Sequence, residues 1–229
     1  MFDGIYNYQL DTQRTERTKY QPLGRIYLMS YKIICFGDSN TYGYDARGFM
    51  GGRLSKNARW TGLLDEDSDL EIVNCGENGR EIPTDRWDLG DLDAILDREA
   101  PFDLLVIMLG SNDLLTMYRS GISKITQRMA RLLYHILDHP SIDNEPSRIL
   151  LIAPPPTDLG RIDPMAANYD RISSEFGSAY GSLAATAGVH FVDAGQWNIE
   201  LGHDGVHFTE KGHRTFAEHM RVVLKEILT

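Results

Sequence analysis

The feature that most constrains the fold of this chain is a series of five short apolar segments separated by longer stretches with helical patterning. The apolar segments are Ile33–Phe36, Glu71–Cys75, Leu104–Leu109, Arg148–Ala153 and Val189–Asp193. Most of them are continuous apolar runs rather than alternating ones, which is typical of parallel strands covered on both faces. The chain is therefore predicted to have an α/β fold, a three-layer αβα sandwich around a five-stranded parallel sheet.

Two of the intervening stretches carry clear helical periodicity. One apolar stripe recurs at three-to-four spacing over residues 122–136, and a second does so over residues 216–227, with Thr209 as the predicted N-cap. Since the 229 residues contain no internal repeat and no linker, we expect one domain over residues 31–229. Residues 9–25 are polar and have little such periodicity, so we interpret residues 1–30 as an N-terminal extension that the chemistry does not need.

Charge and composition narrow the range of partners. The formal net charge of −10 argues against nucleic acid or an anionic membrane surface as a partner, because both require a basic face. No apolar run approaches the ~20 residues of a membrane-spanning helix, and the N-terminal region has no apolar core of a secretory signal. We therefore expect a cytoplasmic protein with no membrane partner. The two cysteines, Cys35 and Cys75, are predicted to be reduced core thiols.

A serine, an aspartate and a histidine stand where nucleophilic chemistry could use them. Ser39 directly follows the first predicted strand, at the edge where open α/β sheets present reactive groups. A serine hydroxyl is a weak nucleophile until a base takes its proton, and His207 is the candidate base. Asp204, three residues earlier, could hold one ring nitrogen while the other faces Ser39. His203 also makes a metal cluster conceivable, but no third ligand with suitable spacing stands out, so we predict neither metal nor cofactor.

Two further strand ends carry candidate donors for an oxyanion. Asn112 follows the third predicted strand, and its side-chain amide could donate to a developing negative charge. The segment Asn74–Gly79 follows the second strand and contains Gly76 and Gly79, either of which could offer a backbone N–H at close approach. Each signal is weak alone, but four such segments after strands point together to acyl transfer.

These four segments resemble the blocks of the SGNH hydrolases, also called the GDSL esterase/lipase family. The matching blocks are Gly37-Asp38-Ser39, Gly79 within Asn74–Gly79, Gly110-Ser111-Asn112-Asp113, and Asp204-Gly205-Val206-His207. The resemblance covers about residues 32–228 and implies the flavodoxin-like fold of that family. It also implies a nucleophilic Ser39, a triad completed by Asp204 and His207, and an oxyanion hole formed by Ser39 N–H, Gly79 N–H and the Asn112 amide. Gly79 is preferred over Gly76 because it lies five residues past Asn74, as in the family pattern.

The chain is most similar to a subgroup of arylesterases and acyltransferases that act on short acyl esters. The segments that carry this likeness are Cys35–Ser39, Arg59–Gly62, Ile107–Gly110, Pro154–Pro156, Val192–Gly195 and Asp204–Glu210. The resemblance implies a small-molecule ester substrate, acyl transfer to alcohols beside hydrolysis, and a homo-oligomer. The chain departs from the family name at Asn40, where leucine is usual, and we expect that change to affect acyl-chain preference rather than activity.

Three other functions or folds compete with this interpretation. A carbohydrate O-acetylesterase would use the same triad and differ only in substrate. A non-hydrolytic phosphate-binding module at residues 37–43 would lack G-x-G-x-x-G spacing and leave the aspartate–histidine pair unexplained. The nucleophile elbow of the α/β-hydrolases, G-x-S-x-G, fails because Thr41 stands where its second glycine belongs.

Overall fold

The computed structural model describes residues 30–48, 51–116 and 121–229. The predicted N-terminal extension lies outside these residues except for Ser30. Within the described part of the chain, no helix is long and apolar enough to cross a membrane.

Five parallel strands form one sheet in the order β2-β1-β3-β4-β5. Their bounds are β1 Tyr31–Gly37, β2 Leu70–Gly76, β3 Leu104–Met108, β4 Ile149–Ala153 and β5 His190–Asp193. All five lie where the apolar segments predicted them, with ends that differ by at most two residues. The predicted fold class is thereby confirmed.

Helices connect the strands and cover both faces of the sheet. Their bounds are α1 Ser39–Tyr42, α2 Trp60–Leu64, α3 Arg86–Glu99, α4 Ser111–Thr116, α5 Ile122–Leu137, α6 Ala167–Ser173, α7 Phe176–Ala187 and α8 Glu210–Leu228. The predicted N-cap is confirmed, because Thr209 Oγ1 accepts a hydrogen bond from Gly212 N–H at 3.0 Å.

Neighbouring strand residues enter two separate cores. Ile33 and Leu104 pack with side chains of α2 and α8, whereas Ile34 and Leu105 pack with those of α3, α5 and α7. Successive side chains of a strand point to opposite faces, so a sheet covered on both sides needs apolar residues at both. This is why the strands are continuous apolar runs. Cys35 is buried and Cys75 partly buried, and neither forms a disulfide.

The chain order places one strand end at the centre of the functional edge. From β1 the chain moves outward to β2 and then returns to the other side of β1 as β3, so β1 is where the strand order reverses. Gly37 is paired with Gly76 on one side and with Met108 on the other. The segments that leave β1, β2 and β3 therefore emerge side by side.

Candidate active site

The turn after β1 presents Ser39 at the first position of α1. Asp38 caps this helix, with its Oδ1 accepting from Asn40 N–H at 2.9 Å. The turn is tight: a Cβ on Gly37 would lie 2.1 Å from Thr41 Oγ1, so glycine is required there. Burial raises the pKa of Asp38 to about 6, and its hydrogen bond from Asn40 opposes that shift. Ser39 itself keeps only 6% of its surface exposed.

The loop between β5 and α8 brings His207 and Asp204 to the same edge. His207 Nε2 lies 2.9 Å from Ser39 Oγ, and His207 Nδ1 lies 2.6 Å from Asp204 Oδ2. Asp204 Oδ1 accepts from the backbone N–H groups of Val206 at 3.1 Å and His207 at 3.0 Å. Burial alone would raise the pKa of Asp204, but the hydrogen bonds from the His207 side chain and from both backbone groups outweigh it and hold this pKa well below its usual range. The three predicted residues thus form one connected chain of contacts.

Two of the candidate oxyanion donors, Asn112 and Gly79, are linked through the residue that follows Gly79. Asn112 is the second residue of α4. Its Nδ2 donates to the carbonyl oxygen of Arg80, the residue after Gly79, at 3.0 Å. An amide nitrogen carries two hydrogens, so one remains for a ligand. Gly79 has φ +77° and no atom within 4 Å of where a Cβ would stand, so it faces open space.

Gly76 is excluded as the donor by its own contacts. Its N–H donates to Asn74 Oδ1 at 3.0 Å, and a Cβ there would lie 2.1 Å from the backbone nitrogen of Tyr42. This glycine is needed because α1 packs directly on the end of β2. The choice of Gly79 over Gly76, made from the resemblance, is consistent with this geometry.

Arg80 is an organising residue that the sequence patterns did not single out. Its guanidinium donates to the carbonyl oxygen of Gly37 at 2.8 Å and also to that of Cys75, and it lies 4.2 Å from the ring centre of Phe36. It therefore joins the ends of β1 and β2 beneath the Gly79 turn. Its only signal in the sequence is a basic residue directly after that glycine.

Aromatic residues near the motifs divide between core and site. Trp60 and Phe208 are buried and pack in the core beside Phe216. Tyr44 was not predicted, yet its ring centre lies 4.5 Å from that of His207. A short antiparallel bridge between Tyr44 and Arg53 holds that ring over the imidazole.

The geometry does not favour a metal site at His203, Asp204 and His207. His203 is exposed, and the carboxylate of Asp204 is already bonded to His207 and to two backbone groups. Among residues 30–48, 51–116 and 121–229, no group of three or more His, Cys, Asp or Glu side chains is placed to hold a metal ion.

A parallel α/β sheet that brings serine, histidine and aspartate into contact at its carboxyl edge has the arrangement of hydrolases with a serine nucleophile. Comparison with protein families agrees: the chain matches the GDSL-like lipase/acylhydrolase family over residues 35–215 and belongs to that family. It is accordingly a carboxylic ester hydrolase.

Solved structures extend this likeness. The aryl esterase of M. smegmatis is 27% identical, with a TM-score of 0.74 over 86% of this chain and 100% of that one. A carbohydrate acetylesterase family member from Sinorhizobium meliloti is 28% identical, with a TM-score of 0.74 over 86% of this chain and 99% of that one. A comparison with curated proteins gave no match.

Proposed function

We propose that this protein is a serine esterase that cleaves short-chain acyl or aryl esters through an acyl-enzyme on Ser39. The observation that carries the proposal is the continuous contact from Ser39 Oγ through His207 to Asp204, at 2.9 and 2.6 Å. In the first step Ser39 Oγ attacks the ester carbonyl carbon while His207 Nε2 takes the hydroxyl proton. Asp204 holds the imidazole in the required tautomer and stabilises its protonated form.

The negative charge that develops on the carbonyl oxygen needs donors in place beforehand. Backbone N–H groups of Ser39 and Gly79 and the free amide hydrogen of Asn112 are the proposed donors. His207 then gives its proton to the leaving alcohol, and the acyl group remains on Ser39. Water, activated by the same imidazole, releases the acid, while an alcohol in its place would give a new ester.

A preference for small acyl groups is supported by the surroundings of the site. A cavity of about 450 Å³ borders Gly79 and Arg80, and its wall includes several charged side chains. These include Glu77, Asp85 and Asp88. The apolar residues of the wall, Phe36, Pro83 and Leu92, are buried, so a long acyl chain finds little apolar surface there on which to bury its methylenes. The likeness to an aryl esterase supports the same substrate class.

A carbohydrate O-acetylesterase is the second candidate. The likeness to a carbohydrate acetylesterase supports it, and so does the polar wall of this cavity, because carboxylates accept hydrogen bonds from sugar hydroxyls. An acetyl ester would be a substrate for both candidates, so the alcohol side of the ester distinguishes them. Self-association, expected from the resemblance, stays a prediction.

The test is a panel of p-nitrophenyl acetate, butyrate and octanoate together with peracetylated glucose and acetylated xylan. We expect kcat/KM to show no gain from acetate to octanoate, since the added CH₂ groups, which would each contribute about 0.8 kcal/mol against an apolar wall, find little such surface. A preference for octanoate would contradict the proposal. Acetate release from the sugars at a higher kcat/KM than from the aryl ester would favour the second candidate. Adding an alcohol and measuring new ester by chromatography reports acyl transfer.

The oxyanion role of Asn112 makes a separate prediction. Asn112→Ala should lower kcat for p-nitrophenyl acetate by ~10²–10³-fold, because one preorganised donor is lost where charge develops. KM should change much less. Asn168→Ala is the matched control, since Asn168 is exposed on α6 and bonds only to Arg171 in the described structure. Thermal unfolding is measured in parallel, and a loss of activity that merely follows a loss of stability would count against the role.

A further inference from the structure

The side chain of Asn40, the residue after the proposed nucleophile, bonds to the main chain beside His207. Asn40 is only 6% exposed. Its Oδ1 accepts from the backbone N–H of Phe208 at 2.9 Å, and its Nδ2 donates to the backbone carbonyl of Val206 at 3.2 Å. These two groups belong to the residues on either side of His207. The side-chain amide of Asn40 therefore bonds to the main chain on both sides of the proposed base, His207.

The main chain of Asn40 is itself fixed. Its N–H donates to Asp38 Oδ1 at 2.9 Å, and its carbonyl oxygen accepts from Trp60 Nε1 at 3.0 Å. The two hydrogen bonds of the Asn40 side chain join residues that are far apart in the chain, 166 positions for Val206 and 168 positions for Phe208. Within the described residues, the other hydrogen bond between these two segments joins Ser39 Oγ and His207 Nε2. The relative position of nucleophile and base thus depends directly on this amide.

Few side chains could replace this amide. Leucine has a similar shape but leaves the carbonyl of Val206 and the buried N–H of Phe208 without a partner. Aspartate keeps the acceptor for Phe208 but directs a carboxylate oxygen at the carbonyl of Val206. Glutamine carries both groups one methylene too far along. Asparagine supplies one donor and one acceptor in a planar group next to the backbone.

We propose that Asn40 is a positioning residue that sets the distance between Ser39 Oγ and His207 Nε2 by holding the backbone on both sides of His207. The proposal rests on the esterase function proposed above. It also replaces the expectation that Asn40 tunes acyl-chain preference, because both polar groups of its side chain are bonded to backbone and neither is free to contact substrate.

The decisive variant is Asn40→Leu. We expect kcat for p-nitrophenyl acetate to fall by about 10²-fold with KM changed only a few-fold, because a misplacement of about 1 Å between reacting groups costs that much. The ratio of acetate to octanoate turnover should stay at the wild-type value. Labelling of Ser39 by a fluorophosphonate should slow by a similar factor, since it needs an activated serine but no particular ester.

A double-variant cycle separates positioning from a general loss of structure. If Asn40 acts through His207, adding Asn40→Leu to His207→Ala should lower the residual activity by less than threefold. Leu132→Ala, which opens a cavity in the buried side of α5, is the control for destabilisation alone. It should lower the unfolding temperature while leaving kcat, measured well below that temperature, close to the wild-type value.

The outcomes distinguish this inference from the proposed function. Wild-type protein that neither cleaves the esters nor reacts with the fluorophosphonate refutes the function itself. Active wild type with an Asn40→Leu variant within threefold of it overturns the positioning role alone, as does a full 10²-fold loss in the His207→Ala background. Should Asn40→Leu fail to fold, Asn40→Asp is used instead, because it retains the bond to Phe208 N–H and is expected to lose less kcat. Unchanged kcat in Asn40→Asp together with altered acyl preference would overturn the proposal.

Discussion

Ser39→Ala and His207→Ala are each expected to lower kcat for p-nitrophenyl acetate by on the order of 10⁶-fold. The first removes the atom that forms the acyl-enzyme, and the second removes the base that lies 2.9 Å from it. Because the two groups act in a single proton transfer, the double variant should be no slower than either single one. A residual rate above that in water should remain, carried by the oxyanion donors and by substrate binding.

His139→Ala is the matched control for the histidine variant. His139 is buried beyond the end of α5, and its Nδ1 lies 2.8 Å from Ser141 Oγ. Losing that contact should cost stability but leave kcat within threefold of wild type. Initial rates, thermal unfolding and labelling by a serine-directed phosphonate together provide the measurement. A folded Ser39→Ala variant that retained a tenth of the wild-type kcat would refute the proposed nucleophile.

The parts of the site that could be predicted from sequence lie directly after strands. Ser39 and Asn112 are fixed in space once β1 and β3 are known to be adjacent and parallel, because each follows its strand within a few residues. His207 and Asp204 come from a loop whose position no strand dictates. These two residues were predicted from their types and from their separation of three positions, since an aspartate three residues before a histidine can reach its Nδ1.

Two residues whose contacts the sequence did not predict act on backbone groups. Asn40 bonds to main-chain atoms of Val206 and Phe208, and Arg80 bonds to main-chain carbonyls of Gly37 and Cys75. Any residue type presents the same backbone atoms, so the partner leaves no signature in the sequence. Such contacts become visible only when the path of both chain segments is known. The choice between Gly76 and Gly79 had the same difficulty, because it depends on which backbone N–H is already bonded, as that of Gly76 is to Asn74 Oδ1.

Asp204→Asn is expected to lower kcat by about 10⁴-fold while leaving the fold and KM nearly unchanged. The contacts of Asp204 explain why so small a change should matter. Backbone N–H groups of Val206 and His207 both point at Oδ1, so the asparagine oxygen must take that position and its NH₂ group must take the position of Oδ2. That group then donates to His207 Nδ1, which leaves the ring proton on Nε2.

An imidazole protonated on Nε2 cannot accept the proton of Ser39, although every heavy atom stays close to its original place. Asp193→Asn is the matched control, because Asp193 also caps a turn through backbone N–H but bonds to Gly195 and Gln196 instead of a triad member. It should retain kcat within threefold of wild type. Stopped-flow or initial-rate measurements with p-nitrophenyl acetate, paired with thermal unfolding, test both variants. An Asp204→Asn protein with kcat within tenfold of wild type would mean that Asp204 does not set the tautomer of His207.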